Sequence, residues 1–246
     1  MPELKAVYPK VTSIIPALER ARTISAKYVG SGGYSLVYGS HAASKADANS
    51  DLDLLFVCPS EFGGEWDSLV NDVKQLHSDF GLVVDEEVSY ENKLIASFYE
   101  VEAAIALDGF SRDRFNRPIA SAVSAESEYL NSFRFKLRLI LNSLTSPNIF
   151  LGGDSTQFGA DSQAALDAVL ELSLGSIPLG TGFCYSDLIK TLTVTEAGDT
   201  YKDYLGYRSA TWLSQRLRPS FNRLVEQGRL VGRTQSDGHL LFECRS

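Results

Sequence analysis

Two aspartates, Asp51 and Asp53, stand one residue apart at the start of the apolar run LDLLFVC, residues 52–58. Such a run predicts a buried β-strand. Because alternate side chains of a strand point to the same face, we expect both aspartates on one face and Leu52 and Leu54 on the other. Two neighbouring carboxylates repel each other, and their burial is costly unless a positive charge joins them. A divalent cation would meet this need, and Mg²⁺ prefers carboxylate oxygens together with water and phosphates.

A Gly-Ser pair ends the apolar run before these aspartates. Gly39 lets the backbone approach a ligand closely, and Ser40 offers a hydroxyl and an amide N–H to a phosphate. Downstream, the segment LVVDEEVSY at 82–90 predicts another strand, in which Asp85 and Glu87 share a face. The residues alone therefore favour a phosphate-binding pocket on which the acidic side chains of two neighbouring strands converge.

The periodicity of the chain predicts an α+β fold with a small mixed sheet flanked by helices. The predicted strands cover residues 34–39, 50–58 and 82–90. The predicted helices cover residues 9–28, 66–80, 91–107, 127–144 and 161–174. Two stretches with Gly and Pro, 146–156 and 175–182, read as loops, and the second is the preferred linker.

The C-terminal part predicts a separate module. Short helices are expected over 185–192, 209–217 and 219–227, the last with Pro219 in its first turn, followed by a β-hairpin. Gly228 is expected to cap the last helix. Helices followed by a hairpin are the layout of a winged helix-turn-helix, a fold that can bind DNA.

Charge argues against extensive nucleic-acid binding. The chain has a net charge of −8; residues from Lys202 onward contain eight Lys or Arg and four Asp or Glu, so the first 201 residues carry −12. Only one of the residues expected to face outward on the last helix is basic; they are Ser220, Asn222, Arg223 and Gln227. This favours a packing, docking or dimer-forming tail over a DNA-binding one.

Composition sets the remaining bounds. The chain has 44% hydrophobic and 22% charged residues, which is ordinary for a globular protein. The N-terminus lacks the pattern of a secretory signal, and no apolar stretch approaches the ~20 residues that span a bilayer. Three widely spaced cysteines do not suggest a disulfide framework or a zinc cluster. We therefore expect a cytoplasmic protein with no membrane partner.

The motif resembles that of the nucleotidyltransferases of the DNA polymerase β-like superfamily, in particular their small-molecule and minimal branches. Those show Gly-Ser-x-Ala-x-Gly-x-Ala, a short gap, and Ser-Asp-h-Asp-h, where h is apolar. The matching residues here are Gly39, Ser40, Ala42, Ala46, Ser50, Asp51, Leu52, Asp53 and Leu54. Two positions depart from the pattern: Ser44 replaces the second glycine, and Ala43 stands where arginine is frequent.

The resemblance implies transfer of a nucleoside monophosphate from an NTP, with ATP expected, to an acceptor with release of pyrophosphate. It implies that Asp51, Asp53 and a third acid, Asp85 or Glu87, bind two Mg²⁺ ions, and that this third acid also takes the acceptor's proton. Gly39, Ser40 and Ser50 are the implied nucleotide-binding residues.

The resemblance covers roughly residues 10–140. Together with the pattern of helices and hairpin in the tail, it leads us to expect a nucleotidyltransferase domain over 1–110, a helical region over 111–178 and a winged-helix-like domain over 179–246. A small molecule with a hydroxyl is the first choice of acceptor. A protein hydroxyl, as in AMPylating toxin–antitoxin members, is the second, and an RNA 3′ end is the third. The alternative that is not an enzyme is a non-catalytic regulator whose winged tail binds DNA.

The helical region adds one further candidate. The sequence FRFKLRLIL places Arg134, Lys136 and Arg138 on one helix, and we expect one of these cations, Lys136, to neutralise the triphosphate. A solvated basic helix face is the alternative. Tyr90, Glu91 and Lys93 follow the acidic segment and are expected near the acceptor, or else as ordinary capping and surface residues.

Overall fold

The computed structural model describes residues 14–47, 50–59, 65–84, 88–106, 132–175, 177–178, 180–192, 210–236 and 239–244. Within these ranges the chain is mixed α+β, as predicted. The helices are α1 (Ile15–Tyr28), α2 (Gly39–Ala42), α3 (Trp66–Asp79), α4 (Tyr90–Lys93), α5 (Phe98–Ile105), α6 (Phe133–Thr145), α7 (Ser155–Leu174), α8 (Tyr185–Leu192) and α9 (Ala210–Glu226). The strands are β1 (Tyr34–Val37), β2 (Leu54–Cys58), β3 (Ile95–Ser97), β4 (Ile149–Gly153), β5 (Leu230–Thr234) and β6 (Leu240–Cys244).

The first four strands form one mixed sheet in the order β3-β2-β1-β4. β1 pairs antiparallel with both β2 and β4, and β2 pairs parallel with β3. Every residue of β1 and β2 is buried. The central strands are therefore covered on both faces, which explains their nearly continuous apolar sequences.

Side-chain alternation along β2 divides the hydrophobic core into two clusters. Leu54, Phe56 and Cys58 belong to a cluster with residues of α1 and α3. Leu55 and Val57 belong to a larger cluster that includes residues of α5, α6 and α7 and continues to the C-terminal helices. The sheet thus lies between two helical layers.

Helix α1 is fixed to α3 through one carboxylate. Lys27 Nζ lies 2.9 Å from Asp72 Oδ2, and the Tyr28 hydroxyl donates to the same oxygen at 2.7 Å. These two hydrogen bonds hold the pKa of Asp72 below its usual value. The contact fixes α3, whose C-terminal half borders the candidate site.

The C-terminal part packs on α7 and on its own hairpin. Phe221 of α9 makes edge-to-face contacts with Tyr185 and Phe242, with ring centroids 4.7 and 4.8 Å away. Phe183 and Phe242 exchange backbone hydrogen bonds of 3.0 and 2.8 Å. The predicted hairpin is confirmed as β5 and β6, and Gly228, with φ of +70°, follows α9 as the predicted cap.

Three predictions about strands are wrong. Asp51 and Asp53 precede β2 instead of lying in it. The described residues of 82–90 form no strand; the parallel neighbour of β2 is β3, inside the predicted helix 91–107. β4 lies in a stretch read as a loop, because pairing with β1 outweighs the low strand propensity of Gly152 and Gly153.

Three helix boundaries also differ. The predicted helix 91–107 is replaced by α4 and α5 because Ser97 and Glu100 form a capping box that starts α5 after β3. Helix α7 starts at Ser155, earlier than predicted, because the Asp154 carboxylate caps it by accepting from the N–H groups of Thr156 and Gln157. Pro219 lies inside α9, which runs through the two helices predicted there.

The larger cluster contains residues from all three predicted domains, such as Leu36, Leu166 and Leu217. The division at 110 and 178 stays a prediction. In the part of the chain that the structure describes, every helix is too short or too polar to cross a bilayer.

Candidate functional site

The contact between Gly39 and Asp53 defines the site. Gly39 follows β1 after Tyr38 and has φ of +71°, a conformation that glycine adopts at little cost. A Cβ atom on Gly39 would overlap the Asp53 carboxylate and lie 2.8 Å from its Cγ atom. The Tyr38 N–H donates to the Asp53 carbonyl oxygen at 3.1 Å and so continues the β1–β2 pairing beyond the strands. The close approach expected at Gly39 is therefore made by the chain's own aspartate.

Asp51 and Asp53 line one cleft of about 280 Å³, a volume that includes space open to solvent. Leu52 and Leu54 are buried, whereas both aspartates are partly exposed. The predicted alternation therefore holds, although these residues lie in an extended segment before β2. The full lining consists of Tyr38, Asp51, Leu52, Asp53, Leu54, Val73, His77, Val84, Tyr90, Lys93 and Leu94.

Two histidine rings contact the backbone on either side of Asp51. His77 Nε2 accepts the Leu52 N–H at 3.2 Å, and His77 Nδ1 lies 2.8 Å from the Val73 carbonyl oxygen. These contacts require a neutral ring with its proton on Nδ1. The ring of His41 hydrogen-bonds to the backbone of Ser50.

The His41 ring is held neutral by its surroundings. Burial lowers the pKa of His41, and this outweighs the opposite effects of the Ser50 backbone and the Asp51 carboxylate. Among the described residues no hydrogen-bond partner reaches its buried Nε2 atom. His41, which lies in the short helix α2, is thus a neutral ring beside the site.

The loop after α2 contains the two departures from the family pattern. Ser44 has φ of +59°, and it is the one described non-glycine residue with positive φ. The position where the resembled family has glycine therefore does adopt a glycine-like conformation. The Ser40 carbonyl accepts the Lys45 N–H at 2.9 Å. Ser50 Oγ accepts the Asp47 N–H at 2.9 Å and donates to its carboxylate at 3.2 Å, so this hydroxyl also fixes the loop.

The predicted third acids, Asp85 and Glu87, lie outside the described residues. Val84, directly before Asp85, and Tyr90, three residues after Glu87, both line the cleft. Lys93 lines it too, with its Nζ atom 5.0 Å from the centre of the Tyr90 ring. Tyr90 and Lys93 therefore line the same cleft as the aspartates, and their expected place near the acceptor stays a prediction.

The described basic residues of α6, Lys136 and Arg138, have largely buried side chains. Lys136 forms an ion pair with Glu100 at 2.7 Å, and both side chains are largely buried. Arg138 is 2% exposed, so the interpretation of a solvated basic face is wrong for this residue. The side chain of Arg134 lies outside the described part. The nucleotide-binding role of Lys136 stays a prediction, and its charge is already balanced by Glu100.

His77 is not among the site residues predicted from the sequence. The available signal was weak: a histidine four residues after Val73 and one after Leu76, on the apolar face of a predicted helix. Only the fold shows that this ring reaches the backbone between the aspartates.

Within the described ranges, no group of three or more His, Cys, Asp or Glu residues is arranged to hold a metal ion. Comparison with known proteins finds no matching family model, no similar curated protein and no similar solved structure.

Proposed function

We propose that the protein is a Mg²⁺-dependent nucleotidyltransferase that transfers a nucleoside monophosphate, AMP from ATP, to a hydroxyl of a small-molecule acceptor. The single observation that supports this most strongly is the contact of Gly39 with Asp53, an aspartate that lines one cleft together with Asp51. It joins the glycine and both acids of the motif in one place, although the two parts of the motif are separated by a loop. The proposal includes the nucleotidyltransferase fold for the N-terminal part.

The residues present suit the metal. Asp51 and Asp53 supply carboxylate oxygens at the surface of one cleft, which is the donor type that Mg²⁺ prefers. We assign Asp51, Asp53 and Asp85 as the residues that would hold two ions. When bound, such a pair of ions stabilises the entering and leaving oxygens of an in-line displacement at phosphorus.

The chain's own groups have the remaining roles. The backbone at Gly39 and the Ser40 hydroxyl bind the phosphates of the nucleotide. Asp85 or Glu87 accepts the proton of the acceptor hydroxyl as its oxygen forms a bond to the α-phosphorus and pyrophosphate leaves. Tyr90, which lines the cleft together with the aspartates and is partly exposed, supplies aromatic surface for the acceptor.

The test is incubation of the purified protein with Mg²⁺, ATP labelled at its α-phosphate and a set of hydroxyl-bearing metabolites. We expect label to move to a small molecule with release of pyrophosphate, and we expect Asp51→Asn and Asp53→Asn to abolish the transfer. Asp79→Asn is the matched control, because Asp79 is an exposed aspartate at the end of α3. Label on protein would identify the AMPylating alternative, and pyrophosphate release unchanged in both site variants would refute the proposal.

The contacts of the tail do not favour the DNA-binding regulator. Arg223 pairs with Asp167 at 2.7 Å and Arg229 with Glu171 at 2.6 Å, both across to α7. Ser220, expected to face outward, is 2% exposed and accepts a hydrogen bond from Gln163 at 2.9 Å. We propose that the winged-helix-like tail uses this face for docking on α7.

A further inference from the structure

We infer that His77 is a positioning residue that sets the directions of Asp51 and Asp53 by holding the backbone of Leu52 between them. This inference rests on the proposed function and adds to it a residue outside the motif.

The orientation of the His77 ring is fixed by a hydrogen bond within its own helix. It is 4% exposed and lies in the last turn of α3, where its Nδ1–H donates to the Val73 carbonyl oxygen at 2.8 Å. This bond within the helix selects one tautomer and one ring orientation. Nε2 is thereby directed at the Leu52 N–H, from which it accepts at 3.2 Å.

The Leu52 backbone is where such a bond has most effect. Leu52 is 2% exposed, so its N–H needs a partner inside the protein. Its side chain is anchored in the cluster between the sheet and α3. Asp51 and Asp53 are joined to Leu52 by its two peptide bonds, so a rotation of the backbone there changes the directions of both carboxylates.

The arrangement resembles the outer layer of a metal site, in which a group that does not touch the metal orients those that do. Loss of such an orienting group typically weakens metal affinity by about 10- to 100-fold. We expect the same of His77, with the metal-binding residues themselves unchanged.

The experiment measures Mn²⁺ binding to the full chain without nucleotide, by the loss of the free-ion signal in electron paramagnetic resonance. His77→Phe keeps a ring of similar shape but lacks the acceptor, and we expect it to bind Mn²⁺ about 10-fold or more weakly. His77→Gln keeps an amide oxygen that can accept the Leu52 N–H, and we expect affinity near that of the natural chain. The Mg²⁺ concentration that gives half-maximal transfer should shift in the same order.

Leu69→Ala is the control for lost stability, because Leu69 is a buried residue at the other end of α3 and is absent from the cleft lining. It should unfold more easily and still bind Mn²⁺ normally. A folded His77→Phe variant with normal Mn²⁺ affinity would overturn the inference. If that variant does not fold, His77→Asn, whose amide is too short to reach Leu52, replaces it in the same comparison. Normal Mn²⁺ affinity in Asp51→Asn and Asp53→Asn would instead contradict the proposed function.

Discussion

Gly39 and Asp53 are so close that residue 39 has no room for a side chain: a Cβ atom there would lie 2.8 Å from the Asp53 Cγ atom and overlap its carboxylate. Gly39 follows β1 and Asp53 precedes β2, so the β1–β2 pairing brings the two residues together. The position of the carboxylate therefore depends on the absence of one methyl group.

Gly39→Ala is expected to abolish nucleotidyl transfer, because the new methyl group displaces the Asp53 carboxylate. Its stability should also fall, since a non-glycine residue in the left-handed region costs about 1–2 kcal/mol. Gly81→Ala is the matched control: Gly81 has φ of +63°, but its Cβ position has no neighbour within 4 Å. Urea unfolding should show that both variants lose stability, and that Gly39→Ala loses at least as much as Gly81→Ala. Activity assays should show loss of nucleotidyl transfer in Gly39→Ala alone. Equal activity of the two would show that the Gly39–Asp53 contact is dispensable.

Ser44→Gly should stabilise the protein. Ser44 has φ of +59°, a conformation that costs a non-glycine residue about 1–2 kcal/mol in steric strain. Glycine avoids this strain but loses more backbone entropy on folding, which costs about 0.5–1 kcal/mol. We expect a net gain of about 0.5–1 kcal/mol in the free energy of unfolding, measured by chemical denaturation. Ser44→Ala should give no such gain, because alanine has the same strain. Destabilisation by glycine would mean that the serine side chain stabilises the loop by more than this strain.

Asp161→Asn should change how stability depends on pH. Asp161 is 9% exposed and accepts from the Tyr34 hydroxyl and the Gln157 amide, each at 2.9 Å. Burial raises the pKa of Asp161 above its ordinary 3.8, despite the opposite effect of these two hydrogen bonds, and the charge of Glu102 adds to the rise.

The direction of this pH dependence follows from the linkage between proton binding and folding. A carboxyl with a raised pKa in the folded state binds its proton more tightly there, so its ionisation destabilises the fold as pH rises from 3.8 through the raised value. The stability of Asp161→Asn relative to the natural chain should therefore be greater at about pH 7 than at about pH 4, as measured by thermal unfolding at each pH. A difference that shrinks as pH rises would contradict the raised pKa.

Phe221→Ala should destabilise the protein by about 3–5 kcal/mol, the usual cost of deleting a buried aromatic ring. Phe221 is 1% exposed and contacts both Tyr185 and Phe242, so its loss also removes a ring contact between α9 and the hairpin. Phe133→Ala is the control, because Phe133 is 52% exposed, and its stability should change by only about 0.5 kcal/mol. The measurement is urea unfolding followed by circular dichroism. A small effect at Phe221 would show that the tail packs loosely.

The local signals of the sequence predicted part of the fold well. The helical periodicity of α1 and α3, the apolar runs of β1 and β2 and the C-terminal hairpin all depend on near neighbours in the chain, and all are found. The failures depend on distant partners. β3 has three residues and β4 ends in two glycines, and each is a strand because it pairs with β2 or β1.

The residues of the candidate site also fall into two groups, those that the sequence could indicate and those that only the fold brings to the site. The spacing of the motif singled out Asp51, Asp53 and Gly39 as candidates, and the predicted alternation agrees with the burial of Leu52 and Leu54 and the partial exposure of both aspartates. His77 could not be found this way, since its contact with Leu52 spans 25 positions. Lys136 was a reasonable cation on sequence grounds, but Glu100, on a helix that the sequence placed differently, now balances its charge.

What the sequence determined by itself is the chemistry available: two carboxylates beside a Gly-Ser pair, on a chain rich enough in apolar runs to bury a sheet. What the tertiary structure decided is which groups meet. Propensity and periodicity act over a few residues, whereas the contact of Gly39 with Asp53 and the bond from His77 to Leu52 exist only after the strands pair and α3 packs on them.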